Sequence, residues 1–140
     1  MRLRKIFSLF VIVGIIFSAC SKNDVITEWE GLNTKDNTET VANAQDSFAF
    51  TINAKSLSHV YDYSLTSDKF HFDMALSIPD WITGDVSIQI SNDTKQMLYK
   101  GDFNQKTNLA QIITLDEKPT KIKLIFSNLT ASFSCSIKGK

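Results

Sequence analysis

Apolar and polar residues alternate along most of the chain after Ser47. The clearest example runs from Phe70 to Ile78, where the first and then every second residue is a large apolar one, and Pro79 follows. A period of two is typical of strands with one buried face, and proline rarely continues such a strand. The pattern predicts about eight short strands and no helix in this part of the chain. The predicted strands are residues 48–52, 57–65, 70–78, 86–90, 96–99, 109–115, 122–126 and 131–137.

The even spacing of these strands, with polar turns between them, predicts an all-β, antiparallel fold. A β-sandwich is favoured over a closed barrel, because a barrel usually needs longer strands or glycine corners and the chain has five glycines. Most of the ten phenylalanines fall on inward-facing registers and supply the core. Cys135 shares the register of Phe133 and Ile137, which predicts a buried thiol; the alternatives are an exposed redox thiol or a disulfide to a partner.

The first nineteen residues have the three-part plan of a secretory signal. Basic residues in Arg2–Lys5 precede the uncharged apolar run Ile6–Phe17, and the small residues Ser18 and Ala19 follow. The apolar run is about a dozen residues, whereas a permanent membrane-spanning helix needs roughly 20. The pattern therefore predicts a signal peptide at residues 1–19 that is cleaved.

The end of this signal resembles the lipobox of bacterial lipoproteins. That family has an apolar residue, Ser or Ala, Gly or Ala, and then Cys, and this chain has Phe17, Ser18, Ala19 and Cys20, with Phe where Leu is usual. The resemblance implies that Cys20 becomes a lipidated N-terminus, held in the membrane by a diacylglycerol thioether and usually a further acyl chain. Two or more acyl chains anchor a protein firmly in a membrane.

The residues after the cysteine, Ser21–Asp24, resemble the export tag of surface lipoproteins in Bacteroidota-type bacteria, with Asn23 where an acid is expected. The resemblance implies a cell-envelope protein that is lipid-anchored in the outer membrane, and it leaves open which leaflet displays the chain. Residues 20–46 are rich in Asn, Thr, Asp and Glu, with few apolar residues. Such a segment buries too little to offset its ordering entropy, so we expect a flexible tether there and the β-sandwich at residues 47–140.

A further resemblance concerns the later strands. The chain is similar to the jelly-roll-like domains that accompany secreted bacterial enzymes and surface lipoproteins, although that family typically has Gly where this chain has Thr120. The similar segments are Val86–Ile90, Lys95–Gly101, Lys118–Pro119 with Ile122–Phe126, and Ala131–Ile137. The resemblance implies a jelly-roll-like sandwich with a binding or accessory role and no fixed ligand.

Charge and motifs restrict the function further. The whole chain has no formal net charge, and removing residues 1–19 takes away three positive charges and no negative ones. The mildly acidic mature chain makes nucleic acid a poor partner, since such partners select basic patches. No phosphate-binding loop, metalloprotease motif or nucleophile elbow is present in the sequence. We therefore expect a non-enzymatic module without a cofactor.

The two histidines leave one enzymatic alternative open. His59 and His71 are the only two histidines, and His71 shares a strand face with Asp73. Convergence of the three residues would favour a small envelope hydrolase, and His71 with Asp73 would also be the candidates for a metal site. The simpler, structural interpretation is that His71 and Asp73 lie on the solvated face of their strand.

The candidate binding residues are amphipathic aromatic side chains. Trp81, in a predicted loop, could be an exposed platform for a sugar or an edge of the core. Tyr61, Tyr63 and Tyr99 could line the same surface. A glycan or an envelope protein is the expected partner, and exposed aromatic residues around Trp81 would favour such binding.

Overall fold

A computed structural model describes residues 36–140, and these residues form one compact unit. The predicted signal peptide, Cys20 and most of the predicted tether lie outside the described residues. Within residues 36–140, no helix is long and apolar enough to cross a membrane. The described chain forms β1 (Glu39–Ala44), β2 (Ser47–Ser64), β3 (His71–Ile78), β4 (Thr83–Ser91), β5 (Met97–Phe103), β6 (Thr107–Thr114) and β7 (Lys121–Gly139).

Two long strands organise the fold. β2 and β7 have 18 and 19 residues and pair with each other in antiparallel register, with shifts between Ala54 and His59. On one side of the shifts, residues 47–54 and 131–138 form the centre of a sheet with the order β1-β2-β7-β3-β6. On the other side, residues 57–64 and 121–129 continue into β4 and β5. We call these the five-stranded sheet and the four-stranded sheet.

The β2–β7 pair bends where its register shifts. Ser56 and Asn128 have φ values of 49° and 50°, in the left-handed region. Side-chain hydroxyls satisfy the displaced backbone, because the Ser56 N–H donates to Thr130 Oγ1 at 2.9 Å and the Asn128 N–H to Ser58 Oγ at 2.8 Å. The bend lets the two halves of β2 pack face to face, and the two sheets thereby form a sandwich.

The core lies between the inner faces of the two sheets. Phe50 shows the contact directly, because its ring centroid lies 5.1 Å from Tyr61 and 6.0 Å from Phe126, both on the opposite sheet. Burial of each such side chain stabilises the fold by about 1.5–3 kcal/mol. The largest fully buried side chains are Phe48, Phe50, Phe72, Phe133, Met74, Leu76, Ile78, Ile88, Ile90, Ile122, Leu124 and Leu129.

The all-β antiparallel sandwich is confirmed, and the strands differ most from the prediction in two places. The predicted strands 48–52 and 57–65 belong to β2, and the predicted strands 122–126 and 131–137 belong to β7. The pattern divides each long strand in two because polar residues at the bends resemble turns, although the strand pairing continues on both sides of each bend. β1 falls at residues 39–44, inside the segment predicted to be a tether. Its faces are mostly exposed, so it has little apolar alternation to detect.

Two further predictions can be compared with the described residues. The alternating pattern predicts that Phe70 faces the core, and this is wrong: Phe70 is 41% exposed, because β3 begins only at His71. The polar segment after β4 was predicted to form a turn, and this is confirmed. Asn92 is buried there, and its Oδ1 accepts from Thr94 Oγ1 and the Gln96 N–H, each at 2.8 Å.

Candidate functional site

Three aromatic side chains follow one another along an open edge of the sandwich. Within the described residues, the second half of β2 is the outermost strand of the four-stranded sheet. The Tyr61 and Tyr63 rings are parallel to within 3°, with centroids 6.4 Å apart. The His59 ring meets Tyr61 edge-on at 4.5 Å. We call His59, Tyr61 and Tyr63 the tyrosine edge.

The core fixes the orientation of the two tyrosines. Tyr61 packs against Phe50 at 5.1 Å, and Tyr63 packs against Phe48 at 5.4 Å. Both tyrosines are half-buried, so each ring has one side on the core and the remainder open to solvent. A side chain held in this way loses little further conformational entropy when a ligand binds.

The surroundings of both hydroxyls favour the protonated form. Burial raises the pKa of Tyr61 and of Tyr63, and the negative charge of Glu39 raises both further. Glu39 lies on β1 and is exposed. The Asn43 side chain, also on β1, donates to the Ser64 carbonyl at 2.7 Å and ties β1 to the end of β2. The tyrosine edge therefore combines apolar ring surface, two hydroxyls and a nearby carboxylate.

Trp81 lies in the connection between β3 and β4 and does not join the tyrosine edge. Its indole Nε1 donates to the Gly84 carbonyl at 3.0 Å, and its ring packs against the core. Trp81 is half-buried, which matches the edge-of-core interpretation more closely than a free platform.

Tyr99 is also separate from the tyrosine edge. It lies on β5, and β7 and β4 stand between β5 and β2 in the four-stranded sheet. Three strand spacings correspond to about 14 Å. Its hydroxyl accepts from Gln111 Nε2 at 3.2 Å. The structure therefore brings together two of the four predicted aromatic residues, Tyr61 and Tyr63.

The residues of the hydrolase alternative do not converge. His71 and Asp73 lie on the outer face of the five-stranded sheet, where His71 Nδ1 is 3.1 Å from Thr114 Oγ1 and Asp73 pairs with Lys140 at 2.9 Å. His59 packs on Tyr61 in the other sheet. Among residues 36–140 there is no group of three or more His, Cys, Asp or Glu side chains that could hold a metal ion.

Sequence reasoning missed Glu39 as a neighbour of the tyrosines. Composition predicts a tether for the segment that contains Glu39, although Thr40, Val41 and Ala42 form a short stretch compatible with a strand. Only the pairing of Glu39 with Ile52 in β2 brings its charge near the tyrosine edge.

Cys135 lies inside the sandwich, as its register predicts. It is 2% exposed, and burial raises the pKa of its thiol to about 12. The thiolate is the reactive form of cysteine. A group in this environment behaves as a small apolar side chain at physiological pH.

We expect a thiol reagent at pH 8 to label Cys135 in the folded protein at least about a hundredfold more slowly than in the urea-unfolded chain, because access and thiolate formation both require opening of the fold. Cys135→Ala should destabilise the fold by about 1 kcal/mol, since it leaves a small cavity. Labelling rates followed by mass spectrometry test the first expectation. Equal rates in the two states would contradict the buried register.

No protein-family model and no curated protein matches the chain. Some solved structures are weakly similar. A chain from Bacillus endospore appendages, which form disulfide-linked pili, is 12% identical over 76% of this chain and 93% of that chain, with a TM-score of 0.46. A family 29 carbohydrate-binding module is 14% identical over 72% and 70%, with a TM-score of 0.38. A CBM4 structure is 13% identical over 73% and 78%, with a TM-score of 0.35. Similarity at this level identifies neither a ligand nor a site.

Proposed function

We propose that this chain is a cell-envelope lipoprotein, anchored in the outer membrane through Cys20, whose β-sandwich is a non-catalytic module that binds a glycan at the tyrosine edge. The observation that carries the binding role is the parallel pair Tyr61 and Tyr63, half-buried and within the electrostatic influence of Glu39. The anchor rests on the lipobox resemblance at residues 17–20.

The chemistry of the tyrosine edge suits a sugar. A pyranose ring has a face of C–H groups that packs on an aromatic side chain, while its hydroxyls need hydrogen-bond partners around the rim. Tyr61 and Tyr63 supply repeated ring surfaces at 6.4 Å spacing. Their protonated hydroxyls both donate and accept, and the Glu39 carboxylate accepts.

The charge of the edge selects among glycans. Glu39 raises the pKa of both tyrosines, so its negative charge reaches the tyrosine edge. A glycan carrying carboxylate or sulfate groups would be repelled by this charge. We therefore propose an uncharged glycan as the ligand.

A glycan array probed with the lipid-free chain, residues 21–140, tests this function. We expect binding to neutral glycans and little binding to acidic ones. For the best neutral glycan, isothermal titration calorimetry should show that Tyr61→Leu and Tyr63→Leu each weaken binding at least about fivefold, since stacking on an aromatic ring is worth on the order of 1 kcal/mol or more.

Tyr99→Phe is the matched control, because it alters a half-buried tyrosine on a different strand and should leave the affinity unchanged. Thermal midpoints of all variants separate lost binding from lost folding, which matters because Tyr61 and Tyr63 pack on Phe50 and Phe48. Full affinity in a folded Tyr61→Leu, Tyr63→Leu double variant, or no binding to any glycan, would refute the proposal.

A further inference from the structure

The edge strand β6 lacks the features that usually keep edge strands from pairing with other chains. Within the described residues it pairs only with β3, in a register without any bulge. Its eight residues, Thr-Asn-Leu-Ala-Gln-Ile-Ile-Thr, include no charge, proline or glycine. Proteins commonly protect an edge with a charge, a proline, a bulge or a very short strand.

The other edge strands in residues 36–140 do carry such features. β5 contains Lys100, Gly101 and Asp102, and its pairing with β4 is irregular next to Ser91. The outer half of β2 carries Asp62 and begins at the register shifts of the bend. β1 has six residues and includes Glu39. The lack of protection at β6 is therefore specific to that edge.

The hydrogen-bonding groups on the open side of β6 can be assigned. The Leu115 N–H donates to the Phe70 carbonyl at 2.8 Å, directly after β6. Antiparallel ladders alternate between residues that bond to a given partner and residues that point away from it. In β6 the odd-numbered residues thus bond to β3, and the backbone groups of Asn108, Ala110, Ile112 and Thr114 face the open edge.

We infer that β6 is the pairing surface for a second copy of this chain. The two β6 strands align antiparallel, edge to edge, so that the two five-stranded sheets become one continuous sheet across a two-fold axis. Such an interface uses the same surface on both copies, which is the commonest arrangement in homodimers.

The residues flanking β6 make the strand self-complementary. Lys106 precedes β6 and Asp116 follows it. In an antiparallel pair with Gln111 opposite Gln111 of the second copy, Lys106 of each copy lies opposite Asp116 of the other. Opposite charges at both ends favour this alignment, whereas a parallel alignment would place like charges together.

Side-chain sizes fit the same register. It places Ile112 opposite Ala110 of the second copy. Ile112 is 61% exposed, and it lines an open groove of about 550 Å³ on the outer face together with Ala110, Asp73 and Lys138. In this register each Ile112 lies against Ala110 of the other copy, whose small side chain leaves room for it, and both copies bury an apolar side chain that is exposed in the single chain.

Sedimentation equilibrium of the lipid-free chain, residues 21–140, tests this inference, since this chain contains the whole compact unit described for residues 36–140. We expect a reversible monomer–dimer equilibrium. Ile112→Lys should raise the dimer dissociation constant at least about tenfold, because a charge on an edge strand opposes pairing. Val60→Lys is the matched control, because Val60 is 51% exposed on another edge strand and its replacement should leave the equilibrium unchanged.

A charge exchange tests the partner and the alignment. Lys106→Asp should weaken the dimer, because it would face Asp116 of the second copy, and the double variant Lys106→Asp, Asp116→Lys should restore it. Circular dichroism shows whether each variant is folded. A chain that stays monomeric up to about 1 mM, a dimer unaffected by Ile112→Lys, or a double variant without recovery would each overturn the inference. Because glycan binding is measured at the tyrosine edge with different variants, failure of one proposal is distinguishable from failure of the other.

Discussion

Cys20→Ser is expected to abolish fatty-acid labelling of the chain and to move it from the membrane fraction to the soluble fraction. Lipid transfer to a lipobox modifies the sulfur of the cysteine, and a serine hydroxyl is a far weaker nucleophile than a thiol. Each buried CH2 group of an acyl chain contributes about 0.8 kcal/mol to membrane binding, and two or three acyl chains together supply the whole anchor. The variant without acyl chains loses this contribution.

Metabolic labelling with an alkyne fatty acid, followed by fractionation, measures both effects. Cys135→Ser is the matched control, because it removes the other cysteine of the chain from a buried position and should leave labelling intact. Label retained on the Cys20→Ser variant would rule out the lipobox and with it the anchored form of the proposed function.

Gly84→Ala is expected to destabilise the fold by about 2–5 kcal/mol, and to lower the thermal midpoint by more than about 10 °C. Gly84 has a φ of 91°, in the left-handed region. A Cβ atom there would overlap the Asn128 carbonyl group and lie 2.6 Å from the Leu129 Cα. These are backbone atoms at the bend of β7, so the overlap cannot be relieved by turning a side chain.

Thermal unfolding followed by circular dichroism measures the effect. Gly139→Ala is the matched control, because its nearest neighbours would be side-chain atoms of Lys69 and Asp46, and Gly84 is the only glycine among residues 36–140 with a positive φ. Gly139→Ala should lower the free energy of unfolding clearly less than Gly84→Ala does. Equal stability of Gly84→Ala and the unmodified chain would mean that β7 does not approach β4 as closely as described.

The candidate site was only partly predictable. Tyr61 and Tyr63 are two residues apart in an alternating run, so their sharing one face follows from the geometry of a strand. Their separation from Tyr99 and Trp81 depends on the order of strands in the sheet, which no local pattern encodes. The order of strands also decides the positions of His59, His71 and Asp73. Their spacing in the sequence is compatible with one site, but His59 lies in one sheet and His71 and Asp73 lie in the other.

The sequence by itself determined the all-β class, the inward register of Phe72–Ile78 and the buried position of Cys135, because a period of two assigns each residue of a strand to a face wherever one face is apolar. Only the tertiary structure decided that β2 and β7 run unbroken through their bends, that β1 joins the sheet and brings the charge of Glu39 near the tyrosines, and that β6 lies at an open edge within residues 36–140. These features arise from backbone hydrogen bonds between residues distant in sequence, which depend little on side-chain type and therefore leave little local signal.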